Sequence, residues 1–158
     1  VKYFAGEYSP IMNCKKDKGY SEAWLHHTGR NKHHYEYWYD YNAPVPAPIL
    51  PYPYFVEMVC DSLAAGMTYQ GDKWDQHYQL SYWNKVKDRA ETHPKMKKLL
   101  TRVYSDVSDF GIDKITFGCN GYTFNSSAGS TLISPDSKPI SILFSGVNAT
   151  FKFIEGSA

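Results

Sequence analysis

An apolar stripe in the second half of the chain places the strongest constraint on the fold. Its members recur three and four residues apart, at Met96, Leu99, Leu100, Val103, Tyr104 and Val107. This spacing puts them on one face of an α-helix, whereas the side chains of a strand alternate between two faces. Pro94 stands just before the stripe, and proline suits the first turn of a helix. The sequence therefore predicts a core helix that begins near Pro94.

Three segments before this stripe are also predicted to be helical. The first begins at Ser21, a favourable N-cap residue, and ends at Asn42 and Pro44. The second runs over residues 54–66, and the third over residues 74–90. A stiff, extended connector is expected between the first and the second, because prolines recur there, at Pro44, Pro46, Pro48, Pro51 and Pro53.

The composition of the chain changes after residue 113. Beyond residue 115 there is no histidine, and few residues are charged: Asp136, Lys138, Lys152 and Glu155. Short β-prone runs at 114–117, 121–124, 140–144 and 149–154 are separated by turn signals. We predict a mainly α fold, in which a helical, histidine-rich domain (1–113) precedes a β-rich tail or appendage (114–158).

Composition and charge argue against several classes of function. The net charge is +1, which gives no general attraction to nucleic acid or to an anionic membrane. The basic stretch over residues 85–102 is typical of a solvated helix face, so nucleic-acid binding is not expected. No apolar run approaches the ~20 residues that cross a membrane. Three cysteines without paired spacing are typical of a reducing cytosol, so we expect a cytoplasmic protein. Because the sequence opens at Val1, we also expect a fragment or a processed chain.

A cluster of histidines is the feature that points to chemistry. His26, His27, His33 and His34 fall within nine residues. On a continuous helix, His27 and His34 share one face and lie two turns apart, about 10.5 Å along the axis. Two ions, or an ion and a phosphate, would fit between rings at that distance. The alternative is a hydrogen-bonded face without a ligand, and the pattern alone does not choose between them.

A metal site at these histidines would need a carboxylate partner. Glu57 and Asp61 are four residues apart on the next predicted helix, away from its apolar stripe. This position is typical of a solvated face. The alternative is that the neighbouring small residues, Ala64 and Ala65, let a second segment approach, with Asp61 directed at the histidines.

Several of these residues resemble the signature of domain of unknown function 5662, an uncharacterised family of phage and bacterial proteins. The likeness covers about residues 1–110 and is carried by Ala23-Trp24-Leu25, His27, residues 30–34, Glu36, Trp38, the proline connector, Glu57-Met58, Asp61, Tyr82-Trp83 and His93-Pro94. Members of the family carry a further His-Asp-x-Ser-Lys segment that is similar to the metal motif of HD-type phosphohydrolases. This chain contains no His-Asp dipeptide.

The resemblance implies a helical, HD-like domain with a divalent metal ion and a phosphate-containing small molecule as substrate. It implies metal ligands or near-ligands at His27, His33, His34 and Asp61. It also implies that Arg30 and Lys32 hold phosphate oxygens and that Asn31 orients a histidine or a water.

Two hypotheses about function therefore stand. The first is an HD-like metal-dependent phosphohydrolase, which the missing His-Asp motif would make incomplete or inactive. The second is a phage-related structural or interaction module without enzymatic activity. In that hypothesis the β-rich tail pairs with a partner protein or with a second copy of the chain, because strand edges invite pairing.

Overall fold

A computed structural model of the protein describes residues 8–118, 121–124, 140–144 and 147–151. The described part is mainly helical, as predicted. Its α-helices are α1 (Pro10–Lys18), α2 (Glu22–Thr28), α3 (Tyr52–Gln70), α4 (Tyr78–Val86) and α5 (Pro94–Phe110). Short 3-10 turns occupy Tyr35–Trp38, Gly71–Lys73 and Ile112–Lys114. None of the helices in these ranges is both long enough and apolar enough to cross a membrane.

Helix α5 confirms the apolar stripe. All six residues of the stripe are buried, and Leu99, Val103 and Val107 are fully inaccessible to solvent. They pack against residues from α3 and α4, among them Phe55, Val59, Leu63 and Trp83. Trp83 also donates a hydrogen bond from Nε1 to Thr101 Oγ1 at 2.8 Å, so its one polar atom is satisfied at the edge of the core.

Helix α2 is much shorter than predicted. The N-cap is where the sequence places it, since Ser21 Oγ accepts a hydrogen bond from the backbone N–H of Trp24. The helix ends at Thr28, so the prediction of one helix up to Asn42 is wrong. Glycine at position 29 is a poor helix former, and the side chain of Asn31 donates to the carbonyl of His27 at 2.7 Å. This local bond competes with continuation of the helix.

Helices α3 and α4 also differ in length from the prediction. Helix α3 starts two residues earlier than expected and continues four residues further, to Gln70, whereas α4 covers only the middle of the expected 74–90. The two helices come close together at the buried Gly66. A Cβ at this position would lie 3.1 Å from the Tyr78 ring and 3.1 Å from Gln79 Oε1.

Helix α1 lies outside the predicted helices, although its sequence carries clear signals. Ser9 Oγ accepts a hydrogen bond from the Met12 N–H, and Pro10 occupies the first turn. Gly19 ends the helix in the left-handed conformation, with φ of 84°. The helix buries no residue, and its sequence accordingly lacks an apolar stripe from which a helix could be recognised.

Two antiparallel hairpins follow the helices. Strands β1 (Ile115–Gly118) and β2 (Gly121–Phe124) form one two-stranded sheet, and β3 (Ile140–Phe144) and β4 (Val147–Phe151) form another. Phe117 packs edge-on against Phe55, with ring centroids 6.4 Å apart. The last predicted strand extends to residue 154, and residues 152–154 lie outside the described ranges. The domain boundary near residue 113 stays a prediction.

Candidate metal centre

Three histidines meet at one point of the described structure. His27 lies in the last turn of α2, and His33 and His34 lie in the loop that follows. One ring nitrogen from each of the three lies within 4.8 Å of the others. The Nε2 atoms of His27 and His34 are 2.8 Å apart. The predicted separation of about 10.5 Å along a helix axis is therefore wrong, because the chain leaves the helix before it reaches His34. We call these three residues the histidine trio.

The hydrogen bond to His33 leaves one of its ring nitrogens available. His33 Nδ1 lies 3.0 Å from Glu57 Oε1. A carboxylate accepts, so the ring keeps its proton on Nδ1 and carries a lone pair on Nε2. That Nε2 atom is buried and has no hydrogen-bond partner. Its nearest carboxylate is Asp61, with Oδ2 at 4.0 Å. A buried nitrogen with a free lone pair beside a carboxylate fits a cation.

Helix α3 presents both of its candidate carboxylates to the trio. Glu57 and Asp61 are one helical turn apart, and their side chains are about half exposed, at 56% and 54%. The structure thus has Asp61 beside the histidines rather than on a purely solvated face. Its assignment as a metal ligand stays a prediction.

The three residues expected to act on phosphate have different positions. Asn31 Nδ2 lies 3.1 Å from His27 Nδ1, so this amide is in place to orient the ring. Lys32 is exposed, with Nζ 5.6 Å from the centroid of the Tyr54 ring. Arg30 is also exposed. Within the described residues, neither of these two cations lines the cleft at the trio.

Glu36 was not among the predicted site residues, and Glu57 was considered as a carboxylate partner beside Asp61 but was not assigned a role. Glu36 Oε2 is buried without a hydrogen-bond partner, and it lies 3.9 Å from His34 Nδ1. Burial raises the pKa of the Glu36 carboxyl, and the nearby Lys15 opposes that rise. Both glutamates lie in the segments that carry the family resemblance, and this resemblance was the sequence signal that could have identified them. Their contacts depend on the loop after α2, which the pattern did not reveal.

The His34 ring of the trio favours its neutral form. Burial, together with the neighbouring His33 and His27, lowers the pKa of His34 to about 4. Asp61 and Glu57 act in the opposite direction but do not compensate. Neutral imidazole is the form that binds a metal ion, so His34 is ready to act as a ligand at neutral pH.

A cleft of about 910 Å³ opens at the trio. Asp61 and Glu36 line it near the histidines. Other parts of its wall are aromatic or cationic, and its lining includes Trp24, Tyr35, Tyr69, Tyr78 and Tyr82 together with Lys15 and Arg89. A polar group that includes Ser62 and Gln79 also lines it, with Gln79 Nε2 donating to Ser62 Oγ at 2.5 Å. The site thus combines metal-type ligands with room for an organic molecule.

A comparison with protein families matches residues 3–106 to a family of unknown function (DUF5662). The chain belongs to this family. The match covers two thirds of the chain, and it includes the trio, both α3 carboxylates and most of α5. The resemblance seen in the sequence is therefore confirmed at the level of the family. No curated protein and no solved structure matches the chain.

Membership in DUF5662 says nothing about chemistry by itself, so the chemistry depends on the geometry. In this DUF5662 member, three imidazoles converge and a carboxylate stands 4.0 Å from one of them. Nitrogen ligands with one carboxylate are a common set for first-row transition metals. A second carboxyl, Glu36, stands beside His34 with its pKa raised, which suits a group that exchanges a proton.

Proposed function

We propose that this protein is a metal-dependent phosphohydrolase related in architecture to HD-type enzymes. One observation carries the proposal: His33 Nε2 is buried, lacks a hydrogen-bond partner and faces Asp61 beside two further imidazoles. A buried unpartnered nitrogen costs free energy unless something occupies it. A cation held by His27, His33, His34 and Asp61 would satisfy it.

A divalent ion held by these residues would supply a Lewis acid that polarises a phosphoryl oxygen and lowers the pKa of water. The protein would support the ion through hydrogen bonds to its ligands. Glu57 holds His33 in the tautomer that presents Nε2, an outer contact of the kind that orients a metal ligand and raises its basicity. The Asn31 amide nitrogen lies 3.1 Å from His27 Nδ1 and limits rotation of that ring.

Glu36 is the residue we assign to proton transfer. Its carboxyl lines the cleft, has an unpartnered buried oxygen and has a raised pKa because of burial. A carboxyl with a raised pKa keeps its proton closer to neutral pH, so it can donate that proton to a departing alkoxide. Lys15 and Arg89 line the same cleft, and they are better placed to attract a phosphate than Arg30 and Lys32.

The HD-like relationship rests on resemblance and has a clear departure. The chain has no His-Asp dipeptide, so the proposed ligands come from the loop after α2 and from α3. The family resemblance to phage and bacterial proteins also supports action in a bacterial cytoplasm.

The metal content of the purified protein tests the proposal directly. Wild type, His33→Ala and His26→Ala are measured by inductively coupled plasma mass spectrometry after gel filtration. His26 is the matched control, because it is an exposed histidine of α2 beside His27 and stands outside the trio. We expect near-stoichiometric transition metal in wild type and His26→Ala, and at least a tenfold loss in His33→Ala. Equal metal in all three proteins, or none in any, contradicts the proposal.

Activity is then measured against phosphate esters with Mn²⁺, Zn²⁺ or Mg²⁺ added. We expect release of inorganic phosphate by wild type, and its loss in Glu36→Gln with metal content unchanged. Release that is the same in wild type and His33→Ala would come from a contaminating phosphatase.

The alternative function is a non-enzymatic interaction module that uses the β-rich tail. The observation that favours it is that the described residues of the tail form two two-stranded sheets, and a strand edge invites pairing. A chain ended after residue 118 keeps Phe117 against the core and removes β2 to β4. Loss of a wild-type oligomer in this shortened chain, measured by light scattering, together with no bound metal, would favour the module.

A further inference from the structure

We propose that the cleft at the trio binds a phosphate ester whose organic part is an aromatic ring. This inference rests on the proposed function, and it names the class of substrate for that site. The cleft has a volume of about 910 Å³, far more than inorganic phosphate fills. Pockets of about 300–1,000 Å³ are typical of sites for whole organic ligands.

Two tyrosine rings make the cleft suitable for an aromatic group. Tyr69 and Tyr82 both line it, and 67% and 50% of their surface is exposed. Tyr82 is held in place by parallel stacking on Tyr78, with centroids 6.5 Å apart and an angle of 14° between the planes. A fixed, solvated ring gains free energy when a second ring covers it. Ala65 and Gly66 of α3, which have small side chains, also line the cleft.

The charges around the cleft suit an anion next to the metal ligands. Lys15 Nζ lies 4.8 Å from the centroid of the Trp24 ring. The same ring packs in a T-shaped arrangement with His34, with centroids 5.3 Å apart, so the ammonium group and the trio both contact one indole. Arg89 supplies a second cation to the cleft lining. A phosphate bound at the trio is therefore attracted by two protein cations as well as by the proposed ion.

The aromatic and cationic parts occur in one continuous cleft, which is why a single ligand carrying both groups fits best. An aliphatic phosphate would use Lys15 and the trio but would leave Tyr69 and Tyr82 in water. A neutral aromatic molecule would use the tyrosines but would leave the cations without a partner. Binding of the two halves should thus add in one molecule.

The test compares phenylphosphonate with methylphosphonate by isothermal titration calorimetry. Both carry a phosphonate that resists hydrolysis, and they differ in the ring. With Mn²⁺-supplemented wild type we expect phenylphosphonate to bind about tenfold more tightly, which equals about 1.4 kcal/mol. This preference should fall at least threefold in Tyr82→Leu and in Tyr69→Leu. Tyr20→Leu is the matched control, because Tyr20 is 48% exposed and does not line the cleft, and it should keep the preference.

Equal affinity for the two phosphonates in wild type would overturn the inference. A preference that survives in both cleft variants, or one that is lost equally in Tyr20→Leu, would also overturn it. Circular dichroism melts of the three variants establish that each is folded before titration. The same titration on EDTA-treated wild type separates this inference from the metal proposal. A preference for the phenyl compound there supports the aromatic wall, whatever the metal content is.

Discussion

Helix α5 and the loop that carries the trio differ in how they obtain their structure. Helix α5 follows a regular pattern over seventeen residues, and its apolar face is fully buried. The loop over residues 29–34 follows no period, and its shape depends on bonds of single side chains such as Asn31. Yet the loop holds His33 and His34, and with them the candidate chemistry.

This difference shows why the site and the core respond to different changes. A side chain in α5 contributes through burial, so its effect appears in the free energy of unfolding. A side chain at the trio contributes to metal binding through its orientation, because it presents a lone pair to the ion or holds a neighbouring ring in place. Its effect should appear in metal affinity with little change in stability.

The largest effect on stability is expected from Leu99→Ala. Leu99 is fully buried in the α5 stripe, and its truncation leaves a cavity in the core. We expect the free energy of unfolding to fall by about 3 kcal/mol. Metal content of the protein that remains folded should stay at the wild-type level. Chemical denaturation and metal analysis at low temperature measure the two quantities, and a parallel loss of metal would break the separation between core and site.

Glu57→Gln is expected to have the opposite effect to Leu99→Ala, with a large loss of metal affinity and little change in stability. Glu57 accepts a hydrogen bond from His33 Nδ1, and the amide can no longer favour the same tautomer as strongly. We expect metal affinity to fall by about 10- to 100-fold, while stability changes by less than about 1 kcal/mol. Competition with a fluorescent chelator measures the affinity. Unchanged affinity would show that Glu57 is only a surface residue, and Glu22→Gln, on the exposed side of α2, serves as the control.

The metal-free protein should become less stable in mild acid because of the trio. The pKa of His34 is about 4 in the folded state and near 6.5 when unfolded, so protons bind the unfolded chain first. Stability is therefore complete above pH 6.5 and is lost as the pH falls to about 4. His33 and His27 promote this loss, whereas Asp61 and Glu57 oppose it. We expect about 2 kcal/mol over this range.

Denaturation of EDTA-treated protein at pH 7.5 and pH 4.5 measures this loss. His34→Gln should lose clearly less stability between the two pH values than wild type does. His26→Ala, which removes an exposed histidine, should behave as wild type. Identical acid sensitivity in wild type and His34→Gln would contradict the assignment.

The smallest effect is expected at the start of α2. Ser21 is buried and caps the helix through the Trp24 N–H, so Ser21→Ala should cost about 1 kcal/mol. Helix α2 positions His27, and a modest loss of metal affinity should follow. Ser9→Ala removes the corresponding cap of α1 and is expected to leave metal affinity unchanged. Equal affinity loss in the two variants would indicate a general effect of stability.

Sequence patterns predicted the parts of the fold that are periodic. The α5 stripe, the N-cap at Ser21 and the existence of α3 and α4 follow from spacing and capping chemistry. The end of α2 could not be predicted in this way. It depends on whether the Asn31 side chain bonds to a nearby backbone carbonyl or points elsewhere. Helix α1 was missed because it buries nothing, although its caps were visible in the sequence.

The sequence predicted which residues are the candidate ligands of the site, but it did not predict how they are arranged in space. The four ligand candidates were identified from residue type and family resemblance. The expected distance between His27 and His34, however, assumed one continuous helix, whereas α2 ends at Thr28. Glu57 and Glu36 acquire roles only when the loop places His33 and His34 against them. No local pattern reports such a contact between residues that are distant in sequence.

The close approach at Gly66 makes the cleft adjustable at one position. A methyl group there meets the Tyr78 ring and Gln79 Oε1 at 3.1 Å, so these two side chains have to shift by a few tenths of an ångström. Tyr78 stacks on Tyr82, so a shift of the Tyr78 ring reaches a second residue that lines the cleft. Gly66 thus lets two helices approach closely, and a larger residue there would change the shape of the cleft without replacing any of the proposed metal ligands.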